Sequence, residues 1–133
     1  MSKPILRRYN LTDLETLKGI HSRQGIPYPF PDLADSQFIL RAVIENGHGV
    51  DTALLLKKSA EAYLLMDLEV GTPEDRLGRL DILNHAVPPV MKQMGIGEAY
   101  CAVPPHLEKS FGKRLVALGW YKEPWPIYTR KVA

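Results

Sequence analysis

The side chains able to do chemistry in this chain are few and scattered. One thiol, Cys101, stands in the apolar run Glu98-Ala-Tyr-Cys-Ala-Val103. A single cysteine excludes an internal disulfide, and a small buried filler is its ordinary role in such a run. Four imidazoles, at His21, His48, His85 and His106, show no spacing that would close a metal site, so no metal is expected. His21 falls on an apolar helical face, His85 lies ahead of a proline pair, and His48 sits between two glycines in a turn. No nucleophile elbow, dinucleotide fingerprint or P-loop occurs. Gly95-Ile-Gly97 reads as a helix stop before a strand, not as a phosphate cradle.

Composition narrows the classes further. At 133 residues the chain is long enough to bury a core without disulfides or metals, and residues 1–133 read as one domain. A net charge of +2 is too small to argue for nucleic acid, where a clustered basic face is expected. Lys57-Lys58 and Lys113-Arg114 are short pairs of the kind found on solvated surface. No stretch approaches the roughly 20 apolar residues of a membrane span. The opening Met-Ser-Lys-Pro-Ile-Leu-Arg-Arg has no apolar core of signal-peptide length, so a cytoplasmic chain without membrane contact is expected.

The elements that must position any site follow from periodicity. Pro4 to Tyr9 predicts a strand. Thr12-Asp-Leu-Glu15 fits a capping box, and the helix it opens carries Leu14, Leu17, Ile20 and His21 on one face before stopping at Gly25. Ile26-Pro-Tyr-Pro-Phe-Pro-Asp32 cannot be helical, because its prolines remove donors and extend their predecessors. Asp35 predicts the N-cap of a second helix with Phe38, Ile39, Ala42 and Val43 as its stripe, ended by Asn46-Gly47. Thr52 to Lys57 and Ala60 to Glu69 predict an antiparallel hairpin around Lys58-Ser59. A long helix starts at Pro73, with Glu74 and Asp75 in its first turn. Its apolar positions are Leu77, Leu80, Leu83, Val87, Val90 and Met94. Pro88-Pro89 predicts a kink or restart, since an interior proline costs about 3 kcal/mol or more. A strand over Glu98–Val103, a helix burying Leu107, Phe111, Leu115 and Leu118, and a last strand carrying Tyr128 complete the chain. This is a mixed α/β order with crossover connections and some parallel pairing. In such sheets ligands bind where strand ends diverge, here between the strand ending at Glu69 and the one ending at Val103.

From Arg76 to Val132 the order is helix, strand, a helix closing on Gly119-Trp120, and strand. That order resembles the C-terminal half of the GNAT superfamily of N-acetyltransferases. Leu6-Arg-Arg-Tyr-Asn-Leu-Thr-Asp-Leu14 resembles the family's opening strand and entry to its first helix, so the resemblance runs from Ile5 to Val132. It implies a central mixed sheet flanked by helices. It also implies acetyl-CoA as co-substrate, with its pantetheine arm between the family's splayed fourth and fifth strands. The pyrophosphate in that family is held by a loop of pattern Q/R-x-x-G-x-G/A opening the following helix. The corresponding loop here is Val70-Gly-Thr-Pro-Glu-Asp-Arg-Leu-Gly-Arg79, with Gly71, Arg76, Gly78 and Arg79 as anion-binding positions.

The resemblance further implies that backbone donors near Leu68 to Val70 polarise the thioester carbonyl, and that Asp67 or Glu69 takes the proton of an acceptor amine. Tyr28 and Phe30, held by prolines, would border the acceptor. The chain departs from the pattern in two places. Gly78 stands two residues after Arg76, not three, and Leu115 occupies the usual position of the family's acid tyrosine, leaving Tyr100 or Tyr128 as substitutes. The expected activity is transfer of an acetyl group to a primary amine of a small molecule or peptide. The alternative is a GNAT-like binding or assembly module without chemistry, in which exposed aromatics form an interface. A homodimer is an expected assembly.

Overall fold

The computed structural model describes residues 3–132. Its helices and strands make a mixed α/β chain, as the element order predicts. The strands fall into two sheets, and the described residues form two compact units, one up to Ser59 and one from Ala60.

In the first unit, β1 (Ile5–Arg8), β2 (Phe38–Asn46) and β3 (Gly49–Lys57) form an antiparallel sheet with β2 in the middle. Helix α1 (Leu14–Gln24) follows one 3₁₀ turn and stops at Gly25 in the left-handed region, as expected. Register sorts the side chains. Val43 lies opposite Arg7 and Ala53, on the face that also carries Leu55, whereas Leu6, Ile44, Ala42 and Leu54 share the other face. The α1 face is the core: Leu17, Leu33, Phe38 and Val43 are buried, with Leu14, Ile20, Phe30 and Leu55 packed around them.

The expected helix from Asp35 is instead strand β2. Phe38-Ile-Leu-Arg-Ala-Val-Ile44 is apolar enough to satisfy either period, and β-branched and aromatic residues fill a central strand well. The two-residue loop Gly47-His48 then joins β2 to β3, with Asn46 paired to Gly49 and Gly49 at φ +101°. Asp35 builds a turn: its carboxylate accepts the Gln37 N–H at 2.9 Å, and its carbonyl accepts Arg41 Nη2 at 2.7 Å.

The expected hairpin around Lys58-Ser59 is also corrected. β3 pairs with β2, and the Lys58 N–H donates to Gln37 O at 3.0 Å. The helix-opening box lies two residues earlier than expected. The Asp13 carboxylate accepts the Asn10 N–H at 2.9 Å and receives both Arg7 nitrogens at 2.8 and 2.9 Å. Arg7 also reaches Glu45 at 3.4 Å, tying β1, β2 and the helix entry together.

The second unit starts with β4 (Ala60–Ala62), far shorter than the run to Glu69, and β4 pairs in parallel with β5 (Ala99–Cys101). Helix α2 (Pro73–Met94) connects them, opened by Thr72 and Asp75 and running unbroken through Pro88-Pro89. Both prolines lie on exposed helix surface, so no packed neighbour is displaced there. The expected single last helix is a 3₁₀ turn (Pro105–Leu107), a π-type turn (Glu108–Gly112) and α3 (Lys113–Ala117). Its apolar residues cluster as predicted: Leu80, Phe111 and Leu115 are buried, with Leu64, Met66, Cys101, Val103, Leu107 and Leu118 against them. Asn84 joins the helices, accepting Trp120 Nε1 at 2.8 Å and donating to Leu118 O at 3.1 Å. The last expected strand is absent: residues 121–132 carry no helix or strand. Pro124 and Pro126 remove donors at alternate positions, which leaves one edge of such a strand unable to pair.

The Arg7–Asp13 pair predicts an acid-sensitive fold. Arg7 holds the Asp13 carboxyl below the usual aspartate range. A depressed folded pKa contributes stability above the unfolded value of about 4, and this is lost as pH falls through the folded one. Asp13→Asn should therefore lower stability at neutral pH by about 1.5–3 kcal/mol, the range for a hydrogen bond to a charged group. The loss relative to wild type should shrink in denaturation curves taken below about pH 4.

Candidate functional site

The segment between β4 and α2 carries most of the residues singled out for function. Asp67 and Glu69 do not lie on a strand, because pairing ends at Ala62 and Cys101. They form a tight turn in which the Asp67 carboxylate accepts the Glu69 N–H at 2.9 Å and the Asp67 carbonyl accepts the Val70 N–H at 3.4 Å. Two of the backbone donors expected to polarise a carbonyl are thus engaged within the turn.

Gly71 follows at φ +80°, where a Cβ would come within 3.0 Å of the Asp75 Cβ. The Thr72 N–H then donates to Asp75 Oδ2 at 2.9 Å, and the Asp75 N–H donates to Thr72 Oγ1 at 3.1 Å. These bonds from Thr72 hold the Asp75 carboxyl below its usual range. The first turn of α2 is therefore self-capped. Pro73 has no N–H, and a negative charge already sits at the positive end of the helix dipole.

Two guanidiniums close the loop from above. Arg76 Nη1 donates to Gly71 O at 2.8 Å and Leu68 O at 3.2 Å, while Arg79 Nη2 donates to Val70 O at 2.7 Å. Beside them lies a shallow concavity of about 270 Å³ lined by Leu65, Met66, Asp67, Val70, Arg79 and Leu83. The fold thus brings Asp67, Val70 and Arg79 to one wall, with Leu68, Gly71 and Arg76 behind it. Gly78 lies on α2 with open space where a Cβ would stand.

The other candidates are elsewhere. Tyr128 is 93% exposed. Leu115 is in the core. Tyr28 and Phe30 belong to the first unit, where they flank His21 with ring centroids 5.8 and 5.6 Å away, and His21 Nε2 lies 2.8 Å from the Tyr28 carbonyl. Burial pushes the Cys101 thiol up, which lowers its thiolate fraction and agrees with a filler role.

Sequence reading missed one arrangement. Tyr63 Oη donates to Glu61 at 2.7 Å and Tyr100 Oη donates to Glu98 at 2.8 Å, and the parallel register sets Glu61 beside Tyr100. The signal was the repeated Glu-x-Tyr spacing on the two segments. Its partner carboxylate, then burial, push the Tyr100 phenol up to about 12, so this tyrosine holds its proton too firmly to be a ready acid.

Among the described residues no three His, Cys, Asp or Glu side chains gather as metal ligands, and no helix is long and apolar enough to cross a membrane. Comparison with protein-family models, with curated proteins and with solved structures finds no match for this chain.

Gly71 of the turn and Gly78 of α2 should respond oppositely to alanine. Gly71→Ala should cost about 1–2 kcal/mol from the left-handed backbone alone, with the Asp75 contact added to it. Gly78→Ala, in open helix surface, should gain about 0.5–1 kcal/mol. Denaturant midpoints at unchanged slope would check both.

Proposed function

We propose that the chain is an N-acyltransferase of the GNAT type, acting in the cytoplasm, with acetyl-CoA as donor and a primary amine as acceptor. The observation carrying this reading is the β4–α2–β5 unit. A parallel pair three residues long ends at Ala62, and the chain beyond the carboxyl end of β4 supplies Leu65, Met66, Asp67 and Val70 to the concavity before reaching the arginine-bound carbonyls. Ligands in α/β units favour that end of the strands.

In this reading Arg76 and Arg79 exchange loop carbonyls for phosphate oxygens, since a guanidinium binds an anion more strongly than a neutral carbonyl. The apolar side chains of Leu65, Met66 and Val70 flank the thioester arm. Asp67 takes the proton as the amine nitrogen attacks the carbonyl carbon. The carbon–sulfur bond then breaks, and the departing thiolate takes its proton from water, because neither Tyr100 nor Tyr128 is placed to give one. Alignment of amine and thioester supplies much of the rate. A second reading, a module that binds without chemistry, is favoured by one feature: Leu115 is core where the family has its acid.

Acetyl-CoA at 100-fold over its Kd should stabilise the chain by about 2.7 kcal/mol, seen as a raised Tm. Arg76→Ala with Arg79→Ala should abolish the rise. Asp67→Asn should keep it and lose turnover of a panel of amines. Binding with no turnover by wild type selects the second reading; no Tm shift and no turnover overturns both forms of acyl-CoA dependence.

A further inference from the structure

We propose that Asn46-Gly47 is a site of self-modification by deamidation, and that the Asp51 carboxylate is the latch that keeps it closed in the folded hairpin. The inference goes beyond the acyltransferase reading and does not depend on it.

The two residue types supply the chemistry. An asparagine carboxamide is an electrophile, and the backbone nitrogen of the next residue is a nucleophile tethered to it. Glycine in that next position has no Cβ to crowd the approach. Ring closure forms a bond between the Gly47 nitrogen and Asn46 Cγ and breaks the Cγ–Nδ2 bond. Nδ2 leaves as ammonia, and the proton it gains is the one the Gly47 nitrogen gives up, relayed by solvent. Water then opens the cyclic imide at one of its two carbonyls. The product is aspartate, or an isoaspartate whose main chain runs through the former side chain and is one methylene longer. The chain has three asparagines, at 10, 46 and 84, and only Asn46 precedes a glycine.

The folded hairpin opposes that step in two ways. Asn46 is the last residue of β2 and pairs with Gly49. Ring closure requires the Gly47 nitrogen to eclipse Asn46 Cβ about the Cα–C bond, and an extended residue, with ψ of about +135°, holds it well away. The carboxamide is also gripped at both ends. Its Oδ1 accepts the His48 N–H at 2.9 Å, and its Nδ2 donates to Asp51 Oδ2. A bulge brings Asp51 within reach: Glu45 pairs with Val50 and Ile44 with Thr52, so Asp51 has no partner across the ladder. Thr52 Oγ1 donates to its other carboxylate oxygen at 2.9 Å. The Thr52 hydroxyl, and after it the Asn46 amide, hold the Asp51 carboxyl below the usual aspartate range, so the latch stays charged at neutral pH. Gly47 and His48 are exposed, and water reaches the loop as soon as the latch opens.

The reaction runs one way. Where the amide donated to Asp51, the product sets a second carboxylate against it, and like charges so close repel. Isoaspartate also lengthens the backbone at the residue that pairs with Gly49. Because β2 lies between β1 and β3 and carries the fully buried Val43, this damage falls on the central strand of the first unit.

The test holds the full chain at neutral pH, folded and in denaturing urea, and follows each asparagine by peptide mapping. Unfolded wild type should convert at Asn46 roughly tenfold or more faster than folded wild type. Folded Asp51→Ala should also convert there roughly tenfold faster, since a hydrogen bond to a charged group favours closed over open by at least that factor. Asp51→Asn keeps the shape and one acceptor oxygen, so its rate should fall between the two, a reading that survives if Asp51→Ala loosens the whole unit. In urea, Asn10 and Asn84 should lag behind Asn46. Asn46→Asp, the product made in advance, should melt below wild type. A folded wild type that converts as fast as the unfolded chain overturns the proposal. So does an Asp51→Ala chain no faster than wild type, a urea-unfolded chain that converts at Asn10 or Asn84 as readily as at Asn46, or an Asn46→Asp chain as stable as wild type.

Discussion

Three carbonyls, those of Leu68, Val70 and Gly71, end on two guanidiniums, and that closure ties the turn after β4 to the start of α2. Arg76 and Arg79, one turn apart on α2, supply the donors. With the oxygens satisfied, Gly71 can take a left-handed backbone, Thr72 can cap the helix, and Asp67 is set on the wall of the concavity. The Thr72–Asp75 box fixes where α2 begins, and Leu80 of that helix packs with Phe111 and Leu115. The guanidinium closure also places the two cations where an anion would have to compete with backbone oxygens for them.

How far the chain could be read from its residues differs by element. α1 and α2 were legible because a long period and a stop signal agree: Gly25 and Gly95 end both helices in the left-handed region. The apolar spacing of Leu107, Phe111, Leu115 and Leu118 likewise announced the second core. β2 was misread because seven apolar-rich residues fit both periods, and only its place between two other strands decides the matter. The hairpin at Lys58-Ser59 failed for a related reason. Nothing local distinguishes an antiparallel return from a parallel pairing with residues some forty positions later, since the choice rests on Ala60 donating to Glu98.

The candidate site was legible in part. Arg76, Arg79 and Gly71 stand close in sequence, but the hydrogen bonds of the two guanidiniums to the turn and the self-capping of Thr72 and Asp75 are matters of local geometry. The Glu-x-Tyr repeats were visible as letters. Their meaning needed the register that sets Glu61 against Tyr100. In the first unit Tyr28 and Phe30 were singled out as a wall, and the contact they make is with His21, which was read only as a core-edge residue of α1.

Asn84 has a consequence for what its position can tolerate. Its amide meets two partners of opposite polarity: an indole N–H that must find an acceptor, and the Leu118 oxygen that must find a donor. Aspartate would offer oxygen to both and repel the second, while leucine would offer neither. Serine is too short to span them. The amide thus works as an adaptor between mismatched ends, and the order of its two terminal atoms, usually a matter of convention, is dictated here by its neighbours.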